Sequence, residues 1–348
     1  MNRTALHLTL FAALAATPAH SDNIGFRQVT VADTASDRRP LQASIWYPSD
    51  ESGSPEITAE NAAFEGQTVY RNVLPRGGEH ALVLLSHGHG GNWRNQSWLA
   101  TELVKHGYIV AAIDHPGTST SNHDPAEARR LWERPRDLSR VIDALTADAN
   151  IAGSIQPTRI AAIGHSLGGW TATAIAGARF DHQLFRDDCH AHPTMRACMV
   201  ATDEFGLGSA GPTKLSEDMR DPRIGAIVAL DPGLTRAFTP DSLAGIHIPA
   251  LVIGAVADVE DLRVNLEAGY LAEHLPATTT SYREIPDAAH FTFLQVCKPG
   301  AAERIDAMAP GEGVVCRDGE GRSREEIHRQ VVDMIIEFLS KAQPAPRS

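Results

Sequence analysis

The sequence predicts an α/β fold: a mostly parallel central sheet with helices on both faces. Two observations carry this. Five apolar runs have strand length and almost no polar interruption: ALVLLS (81–86), YIVAAID (108–114), RIAAIGHS (159–166), IGAIVALD (224–231) and ALVIGAVAD (250–258). Such runs suit strands covered on both faces. Helical segments separate them, near 94–106, 135–148, from Ser166 onward and near 262–274. Strands alternating with helices imply right-handed crossovers in one sheet.

Composition agrees. The 348 residues are 43% hydrophobic and 21% charged, ordinary for a folded globular chain. That excludes a disordered chain, a collagen-like fibre and a coiled coil. Lys and Arg number 31 against 43 Asp and Glu, a net charge of −12. A surface this acidic repels phosphate backbones and anionic lipid, which argues against nucleic acid as a partner.

In chain order, the first 21 residues come before the folded domain. Arg3 supplies a positive start, and Ala5 to Ala16 (ALHLTLFAALAA) an apolar stretch too short to span a bilayer. Small residues at Ala19 and Ser21 complete a secretory signal peptide, cut after one or the other. No later run is apolar enough for a membrane span. A secreted or periplasmic location is therefore expected. The domain proper covers 22–342, opening with two half-buried strands at 24–33 and 41–48. Residues 49–66 are polar and Gly/Pro-rich and read as a surface loop. A last strand is expected at 280–286, an amphipathic helix at 325–341, and a disordered tail over 343–348.

Two stretches lack any period, 181–222 and 297–322. Each is too long for a plain connection and reads as an insertion over a functional face, the first cap-like. They hold all four cysteines: Cys189 and Cys198 in one, Cys297 and Cys316 in the other. An even count in an exported chain implies two disulfides. Pairing Cys189 with Cys198 and Cys297 with Cys316 closes two short loops. The spacing of His182, Cys189, His190, His192 and Cys198 fits no common zinc pattern, so no metal is expected there.

Gly164-His165-Ser166-Leu167-Gly168 is a G-x-S-x-G motif between an apolar strand and a helix. The turn there must be tight, which is why both flanking positions are glycine. It lifts the Ser166 hydroxyl above the sheet and aims the Leu167 N–H and the helix N-terminus at a developing oxyanion. His87-Gly88-His89-Gly90-Gly91 follows the strand 81–86, and the His89 backbone N–H is the expected second donor. A serine nucleophile needs a base on a loop. Of the histidines after Ser166, only His290 follows a late strand directly, whereas His274 and His328 read as helix-surface residues. An acid should orient His290. Asp258, ending one strand, is the first choice and Asp231, ending the strand before it, the second, with Glu260 and Asp261 as further options.

These residues resemble the α/β-hydrolases, and among them the dienelactone-hydrolase-like and platelet-activating-factor acetylhydrolase-like group. The resemblance rests on 85–120, RPRDLSRVIDAL (134–145), IGHSLGGWTA (163–172), DPRIGAIVALDPG (221–233) and PDAAHFTFL (286–294). It implies Ser166 as nucleophile, His290 as base, and His89 and Leu167 as oxyanion donors. The acetylhydrolase-like pattern puts the acid at Asp231 and the wider superfamily at Asp258. The expected activity is hydrolysis of a carboxylic ester through an acyl-enzyme, with no cofactor and no metal; the acidic surface and the lack of a long apolar lid favour a small or soluble ester. An amidase or peptidase on the same fold and a non-catalytic binding protein are the alternatives.

Overall fold

The computed structural model describes residues 23–32, 39–208, 213–257 and 263–344. The leader (1–21), residues 345–348 of the expected tail, Asp258, Glu260 and Asp261 lie outside the described residues.

Ten strands form one sheet: β1 (Asn23–Val31), β2 (Leu41–Ser49), β3 (Pro55–Thr58), β4 (Gln67–Arg71), β5 (Glu79–Ser86), β6 (Ile109–Asp114), β7 (Ser154–His165), β8 (Ile224–Leu230), β9 (Ala250–Ala257) and β10 (Thr280–Ala289). Their spatial order is β10-β9-β8-β7-β5-β6-β2-β1-β4-β3. From β6 to β10 every pairing is parallel. The β1–β2, β2–β6 and β3–β4 pairings are antiparallel. Part of the expected 49–66 loop is thus the short edge strand β3. Three of its four side chains are exposed, which hides it from a hydrophobicity pattern, since an edge strand needs only backbone partners.

The helices are α1 (Ser97–Lys105), α2 (Pro125–Ala128), α3 (Glu133–Ala147), α4 (Leu167–Ile175), α5 (His182–Ala191), α6 (Arg196–Asp203), α7 (Pro240–Ala244), α8 (Ala268–His274), α9 (Ala301–Met308) and α10 (Arg324–Ala342). Alternate residues of the central strands feed two separate cores, as the period of two demands. Leu82, Leu84, Ile160 and Ala162 pack on the face of α3 and α4. Val83, Leu85, Ala161 and Ile163 pack on the face of α1 and α10. Helix α8 is shorter than the 262–274 expected, with turns before Ala268. Helix α10 starts on a capping box, Ser323 with Glu326.

Two expectations about the last helix need correction. His328 is buried, not a surface residue: it stacks on Trp98 with ring centroids 3.6 Å apart and donates from Nε2 to the Thr292 carbonyl. Gln343, expected in the tail, is also buried; its side-chain NH₂ donates to the Ile160 carbonyl and its main-chain carbonyl accepts from Arg159. No helix among the described residues is long and apolar enough to cross a membrane.

Candidate active site

Ser166 sits between β7 and α4 with φ 57° and ψ −120°, a conformation costly for any residue with a side chain. Neighbours enforce it. The Ser166 N–H donates to the Leu230 carbonyl at the end of β8, and the Gly233 N–H donates to the Ser166 carbonyl. The flanking glycines are obligatory. A Cβ on Gly164 would lie 1.9 Å from the Gly168 carbonyl oxygen, and one on Gly168 1.8 Å from that of Ser86.

His290 follows β10 directly and is buried. Its Nδ1 lies 2.6 Å from Asp231 Oδ2. The carboxylate on this ring is thus Asp231, the second choice from sequence; Asp258, the first, lies outside the described residues. Asp231 stands one residue past β8, with φ 39°. Its N–H donates to the Ile253 carbonyl and its Oδ1 accepts from the Ala255 N–H, both on the adjacent β9. That anchorage leaves Oδ2 facing His290. A register shift in β10 between Ile285 and Ala289 accompanies the reach of the histidine across β9 to β8. The hydrogen bond assigns the Nδ1–H tautomer and leaves Nε2 as an acceptor.

The His87–Gly91 turn meets this centre from β5. A Cβ on Gly88 would lie only 3.1 Å from Ser166 Cβ. The Gly88 carbonyl accepts from His87 Nδ1 at 2.6 Å and from the Gly91 N–H. The peptide is trans, so the His89 N–H points the opposite way from that pinned carbonyl. The His89 ring packs edge-on to Phe205, and its Nε2 lies 2.8 Å from Glu204. Burial lowers its pKa, while Glu204 pulls the other way.

Ser166, Leu167, His89 and His290 line one cavity of about 80 Å³, closed by Val200, Phe205, Leu234 and Phe291. Beside it lies a wider cleft of about 500 Å³, also reaching Ser166 and His290, with Asn92, His123, Glu204 and Glu312 on its walls. Both aperiodic stretches contribute. Helix α6 brings Arg196, Ala197 and Val200, and Glu312 and Val315 come from the second stretch. Each stretch is closed by a disulfide, Cys189–Cys198 and Cys297–Cys316. With the sulfurs of Cys189 and Cys198 joined, that cluster offers no thiolate to a metal.

Sequence reasoning missed His165. Its Nε2 donates to the carbonyl of His290 at 2.8 Å, and the two rings lie 4.6 Å apart. Burial and the neighbouring His290 hold its pKa well below the usual imidazole range, so it is neutral. It ties the loop of one site histidine to the turn that carries Ser166. Its place inside the G-x-S-x-G motif was the available signal.

Residues 77–185 match the family described as serine aminopeptidase, S33. The chain is 26% identical over 232 residues to cutinase est2 of Thermobifida alba, covering 66% of this chain and 58% of that protein. It is 28% identical over 116 residues to a bis(hydroxyethyl) terephthalate hydrolase of Streptomyces coelicolor, over 33% of this chain and 34% of that one. The chain thus spans under two thirds of the curated relatives it matches. A ferulic acid esterase from Streptomyces cinnamoneus superposes with a TM-score of 0.64 at 19% identity, covering 95% of this chain and 94% of the other. The fold is that of the α/β-hydrolases. Ser166 occupies the sharp turn after β7, and Asp231 and His290 follow β8 and β10.

Proposed function

We propose that this α/β-hydrolase is an exported serine esterase, with Ser166 as nucleophile, His290 as general base and acid, and Asp231 as the acid of the triad. One observation supports this above all. A strained serine and a carboxylate-bound histidine, supplied by three different strand ends, open onto one cavity. The cutinase and esterase relatives point the same way, and the two disulfides fit export.

In this reading Ser166 Oγ attacks the ester carbonyl carbon as His290 Nε2 takes its proton. The carbonyl π electrons move onto oxygen, which the His89 and Leu167 N–H groups receive. Asp231 stabilises the imidazolium and fixes its orientation. Collapse breaks the bond to the alcohol oxygen, which leaves with the proton from His290. Water, deprotonated by His290, then cleaves the acyl-enzyme by the same steps.

The test is labelling by a fluorophosphonate together with hydrolysis of p-nitrophenyl esters of graded acyl length, with the matching anilides alongside. The expected result is one label on Ser166, ester turnover, and loss of both in Ser166→Ala. Anilide turnover exceeding ester turnover would favour a peptidase, as the matched family description suggests. No label and no turnover would leave a binding protein.

A further inference from the structure

Near its start, helix α3 carries Arg134-Pro135-Arg136-Asp137, which the reaction above does not use. Arg134 is 1% exposed and Asp137 fully buried, an expensive arrangement for charges unless each is closely paired. Asp137 accepts from Arg39 and from His115 Nδ1. His115 Nε2 in turn accepts from the Ser86 hydroxyl.

Arg134 spends its fork on the walls of the site. Nε donates to Thr171 Oγ1 at 2.9 Å. Nη1 donates to Thr118 Oγ1 and Nη2 to Ser86 Oγ and the His87 carbonyl. Each arm leads to an oxyanion donor. The Thr171 hydroxyl donates to the carbonyl of Leu167, whose N–H is one donor. His87 is two residues from His89, the other; its ring pins the Gly88 carbonyl, and the Thr118 carbonyl takes the Gly90 N–H, so the peptides on both sides of His89 are held.

We propose that Arg134 is a positioning residue that holds the two oxyanion donors, the backbone N–H groups of His89 and Leu167, at a common spacing. The proposal rests on the serine-hydrolase reading. A planar fork with fixed N–H directions can bind the β5–α1 turn, the β6 loop and α4 at once, and an ammonium cannot. The guanidinium touches no substrate; it acts through peptides that do.

The test compares Arg134→Lys, Thr171→Val and Thr118→Val with the wild type. The last two each remove one acceptor of the fork and leave the guanidinium itself in place. Active sites are counted by fluorophosphonate, kcat and KM are measured on p-nitrophenyl acetate, and the affinity of phenylboronic acid is recorded. Its tetrahedral serine adduct sets an oxygen where the oxyanion forms. Losing an oxyanion donor outright costs roughly 10²–10³ in turnover, so a displaced one should cost about ten- to a hundredfold in Arg134→Lys and about three- to tenfold in Thr171→Val. KM should stay within about threefold while boronate affinity falls in parallel with kcat. A residue that only supports folding would lower thermal stability and leave kcat per titrated site unchanged. If folded Arg134→Lys and Thr171→Val keep wild-type kcat and boronate affinity, the proposal is wrong; if Arg134→Lys does not fold, the two threonine variants decide. A wild type that neither labels nor hydrolyses ester removes the underlying reading, and the proposal with it.

Discussion

Asp231→Asn should nearly abolish ester hydrolysis without unfolding the protein. Both carboxylate oxygens of Asp231 are acceptors: Oδ1 takes the Ala255 N–H at 2.9 Å, and Oδ2 takes the His290 Nδ1–H at 2.6 Å. An amide has one acceptor and one donor end, so it cannot satisfy both. If the amide oxygen faces His290, its NH₂ opposes the Ala255 N–H and leaves a buried donor unpaired, at about 1–3 kcal/mol. The cheaper orientation keeps the oxygen on Ala255 and turns the NH₂ toward His290. The imidazole must then carry its proton on Nε2, where Ser166 needs an acceptor. The expected loss in kcat is about 10⁴, the general figure for a triad held in the wrong tautomer. Turnover of p-nitrophenyl acetate, with circular dichroism as the folding control, measures it. Asp258→Asn is the companion and should keep substantial activity. Folded Asp231→Asn with turnover within tenfold of wild type, or an inactive but folded Asp258→Asn, would refute the reasoning.

Three further outcomes follow from other parts of the molecule. Glu267 is buried and accepts from the N–H and hydroxyl of Thr235; burial outweighs these bonds and pushes its carboxyl from 4.5 up to about 7. Between those values the folded carboxyl keeps a proton that the unfolded chain has lost, so its contribution to stability is complete below about pH 4.5 and declines as pH rises to about 7. At about 1.4 kcal/mol per pH unit the decline is about 3 kcal/mol, and urea unfolding at both pH values should show it in wild type but not in Glu267→Gln. The double variant Cys189→Ser, Cys198→Ser opens a link nine residues apart in sequence. It should lose roughly 2–3 kcal/mol of stability and raise KM more than it lowers kcat, because α6 lines the cavity but carries no reacting group. Gly168→Ala should fail to yield active protein, its Cβ falling 1.8 Å from the Ser86 carbonyl oxygen; soluble protein with wild-type turnover would contradict the packing described.

The central strands were legible because burial on both faces writes itself as unbroken apolar sequence, as in ALVLLS or IGAIVALD. The place of Ser166 was legible for a related reason, since it closes such a run, whereas β10, which leads to His290, is only partly buried and was read from a mixed sequence. Strand β3 was not legible, because it is four residues long and three of its side chains are exposed. His328 lies on the stripe Arg324, Ile327, His328, Val331, Val332, Ile335, Leu339, all buried; tested against helical spacing, the histidine would have been placed inside. The choice between Asp231 and Asp258 was beyond local pattern. Both end apolar runs in the sequence, and what turns Asp231 toward His290 is its positive φ, its capture of the Ala255 N–H and the shifted register of β10. Those are relations between strands far apart in sequence.

Strain is gathered at the same place. Among the described residues, Ala59, Asn72, Ser166, Asp231 and Leu234 have positive φ without being glycine. Three of these five are the serine, the carboxylate behind the histidine and a wall of the cavity. Each such residue costs on the order of 1–3 kcal/mol and persists only where its surroundings over-determine it. Here they do, through one continuous set of backbone bonds: Ser166 to Leu230, Gly233 to Ser166 and Asp231 to Ile253. The end of β8 therefore serves the elbow and the carboxylate together, and displacing it would move both. Changes at the cavity wall on α6 do not touch these bonds. On the proposed reading the reacting groups thus stand where backbone bonds over-determine the chain, while the disulfide-closed stretches supply part of the surrounding wall.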